Sequence, residues 1–170
     1  PGEPKGIFRL EALASFRYRE YRLFWIAGVA SNMGMWALIA GRLWLVNNET
    51  SSSGMMLGLV TFAGMGPVLL FAVWGGVIAD RVNRLKLVTF TRAIFAGLAI
   101  LTGVLDSTNV VEAWHIITIS LATGILLSFD IPTRQAMVSN LVKDKHIFNA
   151  IALYSLIFGG AAIVGPMLFA

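Results

Sequence analysis

The sequence predicts an all-α polytopic membrane protein with five transmembrane helices behind a short basic segment. Three observations carry this reading. Of 170 residues, 57% are hydrophobic and 13% charged, with a mean hydropathy of +0.77; soluble domains carry about 25% charged residues. Apolar runs of about 20 residues, the length that crosses a bilayer, recur along the whole chain. Lysine and arginine gather in alternate connections, as the positive-inside rule requires.

The elements follow in order. Residues 1–22 mix Lys5, Arg9, Arg17, Arg19 and Arg22 with Phe8, Leu10, Leu13, Phe16 and Tyr21. Such a segment suits anionic headgroups, or serves only to set topology. Helix one is expected over about 23–46, ending at Asn47, Asn48 and Glu49. Helix two covers about 55–79 and has no charged residue from Met55 to Ala79. Its Gly64, Gly66 and Pro67 suggest a bend, with plain packing as the alternative. Helix three is expected over about 87–105 and helix four over about 113–129. The charged stretch 130–146 reads as a connection. Helix five is expected over about 147–170, and the chain is expected to be a piece of a longer one. Short breaks predict consecutive helices side by side and antiparallel. A soluble bundle is disfavoured because its outer helices need a polar face. A β-barrel is disfavoured because its strands alternate over about 10 residues.

Thirteen lysines and arginines define sidedness. The N-terminal segment, the second-to-third connection with Arg92 just inside helix three, and the fourth-to-fifth connection hold all but one. The opposite loops carry Glu49, Asp106 and Glu112. The N-terminus is therefore expected in the cytoplasm. The net charge of +4 is topological, so membrane lipids rather than nucleic acid are the expected surroundings. The chain has no cysteine, and His115 and His146 are too few to suggest a metal site. No glycine-rich stretch ends in Gly-Lys-Ser/Thr, so ATP binding is unsupported. No cofactor is expected. No cluster suited to an enzyme at membrane depth is evident.

The most informative stretch runs from Gly75 and Gly76 through Asp80, Arg81, Asn83, Arg84 and Lys86. It closes helix two and turns tightly into helix three. Asn83 suits a left-handed turn residue. Asp80 and Arg84 are four apart, within ion-pair reach on a helix. Asp80 also suits the positive N-terminus of another helix. Contacts of this kind form in one conformation and break in another; the plainer reading is that they cap helices and set topology.

Helix one carries one polar face. Gly28, Ser31, Asn32, Met35, Ile39 and Arg42 fall on roughly a third of its surface at 100° per residue. Asn32, Met35 and Arg42 are candidate cavity-lining residues. Arg42 would attract an anion, pair with an acid elsewhere, or serve as an interfacial anchor near the outer end. Arg92 is expected to snorkel to the cytoplasm. His115 beside Trp114 reads as interfacial.

The 75–86 stretch resembles the loop signature of the major facilitator superfamily, with Gly76, Asp80, Arg81, Arg84 and Lys86 in matching places. Asn83 stands where glycine is usual and Leu85 where a basic residue is usual. Phe129-Asp130-Ile131-Pro132-Thr133-Arg134-Gln135-Ala136, Asn149-Ala150-Ile151-Ala152-Leu153 and Tyr21-Arg22-Leu23-Phe24-Trp25 resemble a bacterial branch that includes enterobactin-exporter-like and macrolide-efflux-like permeases. The resemblance implies the first five helices of an N-terminal six-helix half. It implies a secondary active transporter in the bacterial cytoplasmic membrane. Such a permease would export a small organic molecule, such as a drug or siderophore, by ion-coupled antiport with alternating access. The C-terminal half of the same chain would be its partner. Carried over by resemblance, Asp80, Arg84 and Asp130 form a cytoplasmic charge network that latches one state, with Arg134 nearby. Ser120 stands where related drug antiporters have an arginine, so their proton-coupling arrangement is not implied. Gly165-Pro166 partly matches the helix-five signature of antiporters. A membrane sensor or scaffold, and less so a membrane enzyme, are the rival readings.

Overall fold

The computed structural model describes residues 14–49, 54–143 and 146–167. Most of the basic N-terminal segment, Lys5 and Arg9 included, lies outside the described residues, as do Lys145 and residues 168–170. A single 3-10 turn, Ala14–Arg17, leads into five helices. These are α1 (Arg19–Glu49), α2 (Gly54–Arg81), α3 (Arg84–Ser107), α4 (Ala113–Asn140) and α5 (Ile147–Met167). All five are long and apolar enough to span a membrane, and no strand occurs among the described residues. This is an all-α polytopic membrane architecture.

Large apolar side chains such as Leu69, Leu70, Val73 and Trp74 on α2, or Phe148 and Ile163 on α5, stand exposed on the outside of the bundle. In water such patches would drive association; in hydrocarbon they are the solvated surface. The interior holds small apolar clusters at three depths. Tyr21, Val138, Val142 and Ala150 pack at one end. Met35, Phe95 and Leu127 meet in the middle, and Leu45, Val46, Val60 and Ile116 at the other end.

The fourth helix differs most from expectation. It continues past Phe129 through Asp130, Pro132 and Arg134 to Asn140. Charges in this stretch read as a loop, but Asp130 and Arg134 are buried and sit one helical turn apart. Their mutual proximity lets the helix carry them into the bundle. Pro132 leaves only one backbone acceptor without its usual donor.

The most extensive contacts are not between helices consecutive in sequence, although α3 and α4 also pack together. The most extensive interfaces are α2 with α4 and α1 with α5. Both pairs are parallel, because Gly64 meets Gly124 while Gly75 meets Ser128 further along both helices. Likewise the Tyr21 hydroxyl donates to the Ala150 carbonyl (2.9 Å) and Trp25 Nε1 to that of Leu153 (3.3 Å), with Gly165 against Met33 and Trp36 further on. The short connections set antiparallel direction, as expected, but not adjacency. Glycines decide adjacency, since bare backbone permits close helix approach. A Cβ built on Gly124 would lie 2.5 Å from the Gly64 carbonyl oxygen, and one on Gly165 2.5 Å from Trp36 Cβ. A Cβ on Gly75 would collide with the Ser128 carbonyl.

Candidate functional site: a buried charge cluster and the turn below it

The turn between α2 and α3 is a helix-capping device. Asn83 occupies the N-cap of α3 with φ −66° and ψ 108°, and its side chain accepts from the Lys86 backbone N–H at 3.1 Å. The expected left-handed conformation at Asn83 is therefore not adopted; capping uses extended backbone. The positive φ falls instead at Asn109 (53°), in the turn from α3 to α4. The neighbouring glycines also exchange roles. Gly75 makes the tight contact with α4, whereas nothing described lies within 4 Å of a Cβ on Gly76.

Arg84 ties this turn together. Its Nη2 donates to Asp80 Oδ1 at 3.0 Å and its Nη1 to the Ala136 carbonyl of α4 at 3.0 Å. Asp80 is 70% exposed, so the ion pair is weak in energy. Arg81 and Lys86 are exposed.

Asp130 does not join Asp80 and Arg84. The network carried over by resemblance separates into two. Asp130 is 1% exposed and faces α3, where Arg92 Nη2 donates to Oδ2 at 2.5 Å. Thr91 Oγ1 lies 2.9 Å from Oδ1 and shares its proton with the Val88 carbonyl. Arg92 thus turns inward rather than snorkelling, because a buried carboxylate needs a counter-charge more than the arginine needs water.

Arg134 is 3% exposed. Its Nη1 stands 3.9 Å from the same Asp130 Oδ2, and its Nε has no hydrogen-bond partner among the described residues. The guanidinium lies 5.2 Å from the Tyr154 ring centroid and 5.7 Å from that of Phe24, a cation–π seat. Gly28 leaves the space: a Cβ there would come within 3.0 Å of Arg134 Nη2. Asn32 and Met35 of α1 and Gln135 of α4 line a cavity of about 230 Å3 with Arg92, Asp130, Arg134 and Tyr154. Asn32 also donates to the Gly28 carbonyl at 2.7 Å.

Arg42 lies further along the same face of α1. It is 4% exposed and not an interfacial anchor. Its Nη1 donates to Thr123 Oγ1 (2.9 Å) and Ser120 Oγ (3.3 Å) on α4. No carboxylate pairs with it among the described residues. Ser120, at the position where antiporters carry arginine, instead receives one from α1. A second cavity of about 70 Å3 opens beside Arg42, Ser120 and Thr123. Gly165 seats α5 on α1, and Pro166 follows, half-buried, in the last turn of α5. His115 Nδ1 accepts from the Glu112 backbone N–H at 3.1 Å, capping α4 beside Trp114. Sequence reasoning missed Thr91, Thr123, Gly124 and Tyr154; only hydroxyls at helical spacing in α4 hinted at the Arg42 seat.

Five apolar helices built on parallel pairs, with charges held inside, describe a polytopic membrane protein. The family model for transmembrane secretion effectors matches residues 10–169, and the chain belongs to that family of major-facilitator-type permeases. It is similar to the staphyloferrin A transporter of Staphylococcus aureus, at 30% identity over 79% of this chain and 34% of the relative. It is also similar to the uncharacterized MFS-type transporter YfiS of Bacillus subtilis, at 25% identity over 81% of this chain and 32% of that protein. The chain spans about a third of the length of these relatives. The family and these relatives are transporters, not enzymes. No solved structure matches.

Proposed function

We infer that the full-length protein is a secondary active transporter of the bacterial cytoplasmic membrane. It moves a small organic molecule by alternating access, and we read the direction as efflux by ion-coupled antiport. The family match across residues 10–169 carries this reading. A siderophore or drug is the proposed cargo, and the name of the staphylococcal relative supports the first. The N-terminus is cytoplasmic: Arg17, Arg19, Arg22, Arg81, Arg84, Lys86 and Lys143 belong to one end of the bundle, where Arg84 bonds to Ala136 and Ser15 to Asn149, and the positive-inside rule supports that sidedness.

The proposed latch is the turn itself. Arg84 bridges α2, α3 and α4, and Asp80 remains exposed enough to meet a helix N-terminus of the other half. An accumulation screen of small organic compounds tests the function, comparing cells lacking the complete gene with complemented cells. Loss of the gene raises intracellular retention of the cargo, and the complete gene reverses it. Equal retention of every compound refutes the reading. In the full-length protein, Asp80→Asn changes flux and the balance of inward- and outward-facing states; an unchanged balance removes the latch.

A further inference from the structure

We propose that the cavity between α1, α4 and α5 around Arg134 binds a carboxylate of the cargo, so that the permease takes a small organic anion. The inference rests on the transporter reading and adds the chemistry of what is carried.

Charge balance is the first argument. Inside the bundle lie Arg42, Arg92 and Arg134, all buried or largely so, against one buried carboxylate among the described residues, that of Asp130. Arginine stays protonated in proteins, so these are fixed cations. In a low-dielectric interior, charges without partners carry a heavy desolvation penalty. An anion entering this region supplies the missing counter-charge, whereas a cation adds to the imbalance.

Donor balance is the second. Each guanidinium offers five N–H groups and accepts none. Arg92 and Arg134 both approach the same oxygen, Asp130 Oδ2, one at 2.5 Å and the other at 3.9 Å, beyond hydrogen-bond reach. Arg134 Nε has no hydrogen-bond partner among the described residues. Arg134 therefore has N–H groups left over after Asp130, although Asn32, Gln135 and Tyr154 also line the cavity. A carboxylate matches the planar fork of a guanidinium and accepts two parallel bonds from it.

Preorganisation is the third. Arg134 is wedged between the Phe24 and Tyr154 rings and against Gly28, so it cannot swing to water. The adjoining cavity of about 230 Å3 has room for several waters, at about 30 Å3 each, or for one carboxylate-bearing group. Asp130 limits the attraction by occupying Arg92, which keeps the anion releasable.

The test uses purified full-length protein in nanodiscs, with citrate as the probe and tetraphenylphosphonium as a cationic control. Trp36 stacks edge-on against Phe158, a wall of the cavity, so tryptophan fluorescence reports occupancy. The wild type binds citrate saturably and does not bind the cation at this site. Arg134→Gln weakens citrate about tenfold or more, and Arg134→Lys, which keeps charge without the fork, falls between. Asp130→Asn tightens citrate, and this gain of binding is not something a misfolded variant produces. A wild type that fails to bind citrate, or citrate affinity indifferent to both Arg134→Gln and Asp130→Asn, overturns the proposal. Flux of a cation or neutral compound without citrate binding sinks the anion site and leaves the transporter reading standing. Citrate binding with no flux of any compound in the accumulation screen does the reverse.

Discussion

Gly124→Ala isolates what holds α2 and α4 together, the most extensive helix pair in the bundle. The added methyl lies 2.5 Å from the Gly64 carbonyl oxygen and 2.9 Å from that of Ala63. Ordinary contact begins near 3.4 Å, so α2 and α4 must part by about 0.9 Å (3.4 less 2.5). Neither obstructing atom sits on a flexible side chain; both belong to helical backbone that moves only as a unit. Overpacking of this kind costs about 1–3 kcal/mol. Alanine returns about 1 kcal/mol through helix propensity, so the expected net loss is about 0–2 kcal/mol. Gly97→Ala is the control, because nothing described lies within 4 Å of its added Cβ. There only the propensity gain remains, and stability stays level or rises. Thermal unfolding of the purified full-length protein reads both variants. Their opposite displacement from the wild type is the expected outcome. If Gly124→Ala unfolds at the same temperature as Gly97→Ala, the glycine seam between α2 and α4 is refuted.

The other expectations concern polar contacts, read by the same unfolding assay. Thr123→Val preserves shape but removes the closer of the two hydroxyls that accept from Arg42; stability falls by about 1–3 kcal/mol, and Thr123→Ser restores most of it. Tyr21→Phe deletes the buried bond to the Ala150 carbonyl and lowers stability by about 0.5–1.5 kcal/mol; no change would mean that the α1–α5 junction is not formed this way. Asp80→Asn shifts stability by less than about 1 kcal/mol, because the pair with Arg84 is exposed; a larger loss would place Asp80 in a buried contact instead.

Hydropathy made the five helices legible, because a bilayer-spanning run needs only length and an absence of charge. The end of α4 was not legible by that rule. Asp130 and Arg134 count as polar in any window, yet inside the bundle Arg92 pairs closely with Asp130 and Arg134 lies within 3.9 Å of the same oxygen. Asn83 was correctly placed at a turn but by the wrong mechanism, since asparagine serves both left-handed turns and N-caps. The face of α1 bearing Asn32, Met35 and Arg42 could be drawn from helical spacing alone, and all three are buried on it. Their partners could not. Ser120 and Thr123 are common residues in membrane helices, and only three-dimensional packing brings them under Arg42. Helix adjacency was similarly hidden: connection length constrains direction, whereas Gly64, Gly75, Gly124 and Gly165 select which helices touch.

The bundle is held by two kinds of contact that differ in how they yield. The α2–α4 seam is backbone against backbone, and the α1–α5 seam seats Gly165 against α1 beside aromatic side chains; such close surfaces lose dispersion steeply with separation. The contacts of α3 to the rest are of another kind. Arg92 and Thr91 reach Asp130, Arg84 reaches the Ala136 carbonyl, and Phe95 joins the small middle cluster. Long side chains tolerate sliding by exchanging rotamers, which flush glycine surfaces cannot do. The same division explains where the charges lie. Arg92 sits on the helix held by side-chain contacts, and Arg134 is the one wedged between aromatic rings. A conformational change that drew α3 away would strip Asp130 of its close partner and leave it to Arg134, altering the charge exposed in the cavity without moving the cavity's own wall.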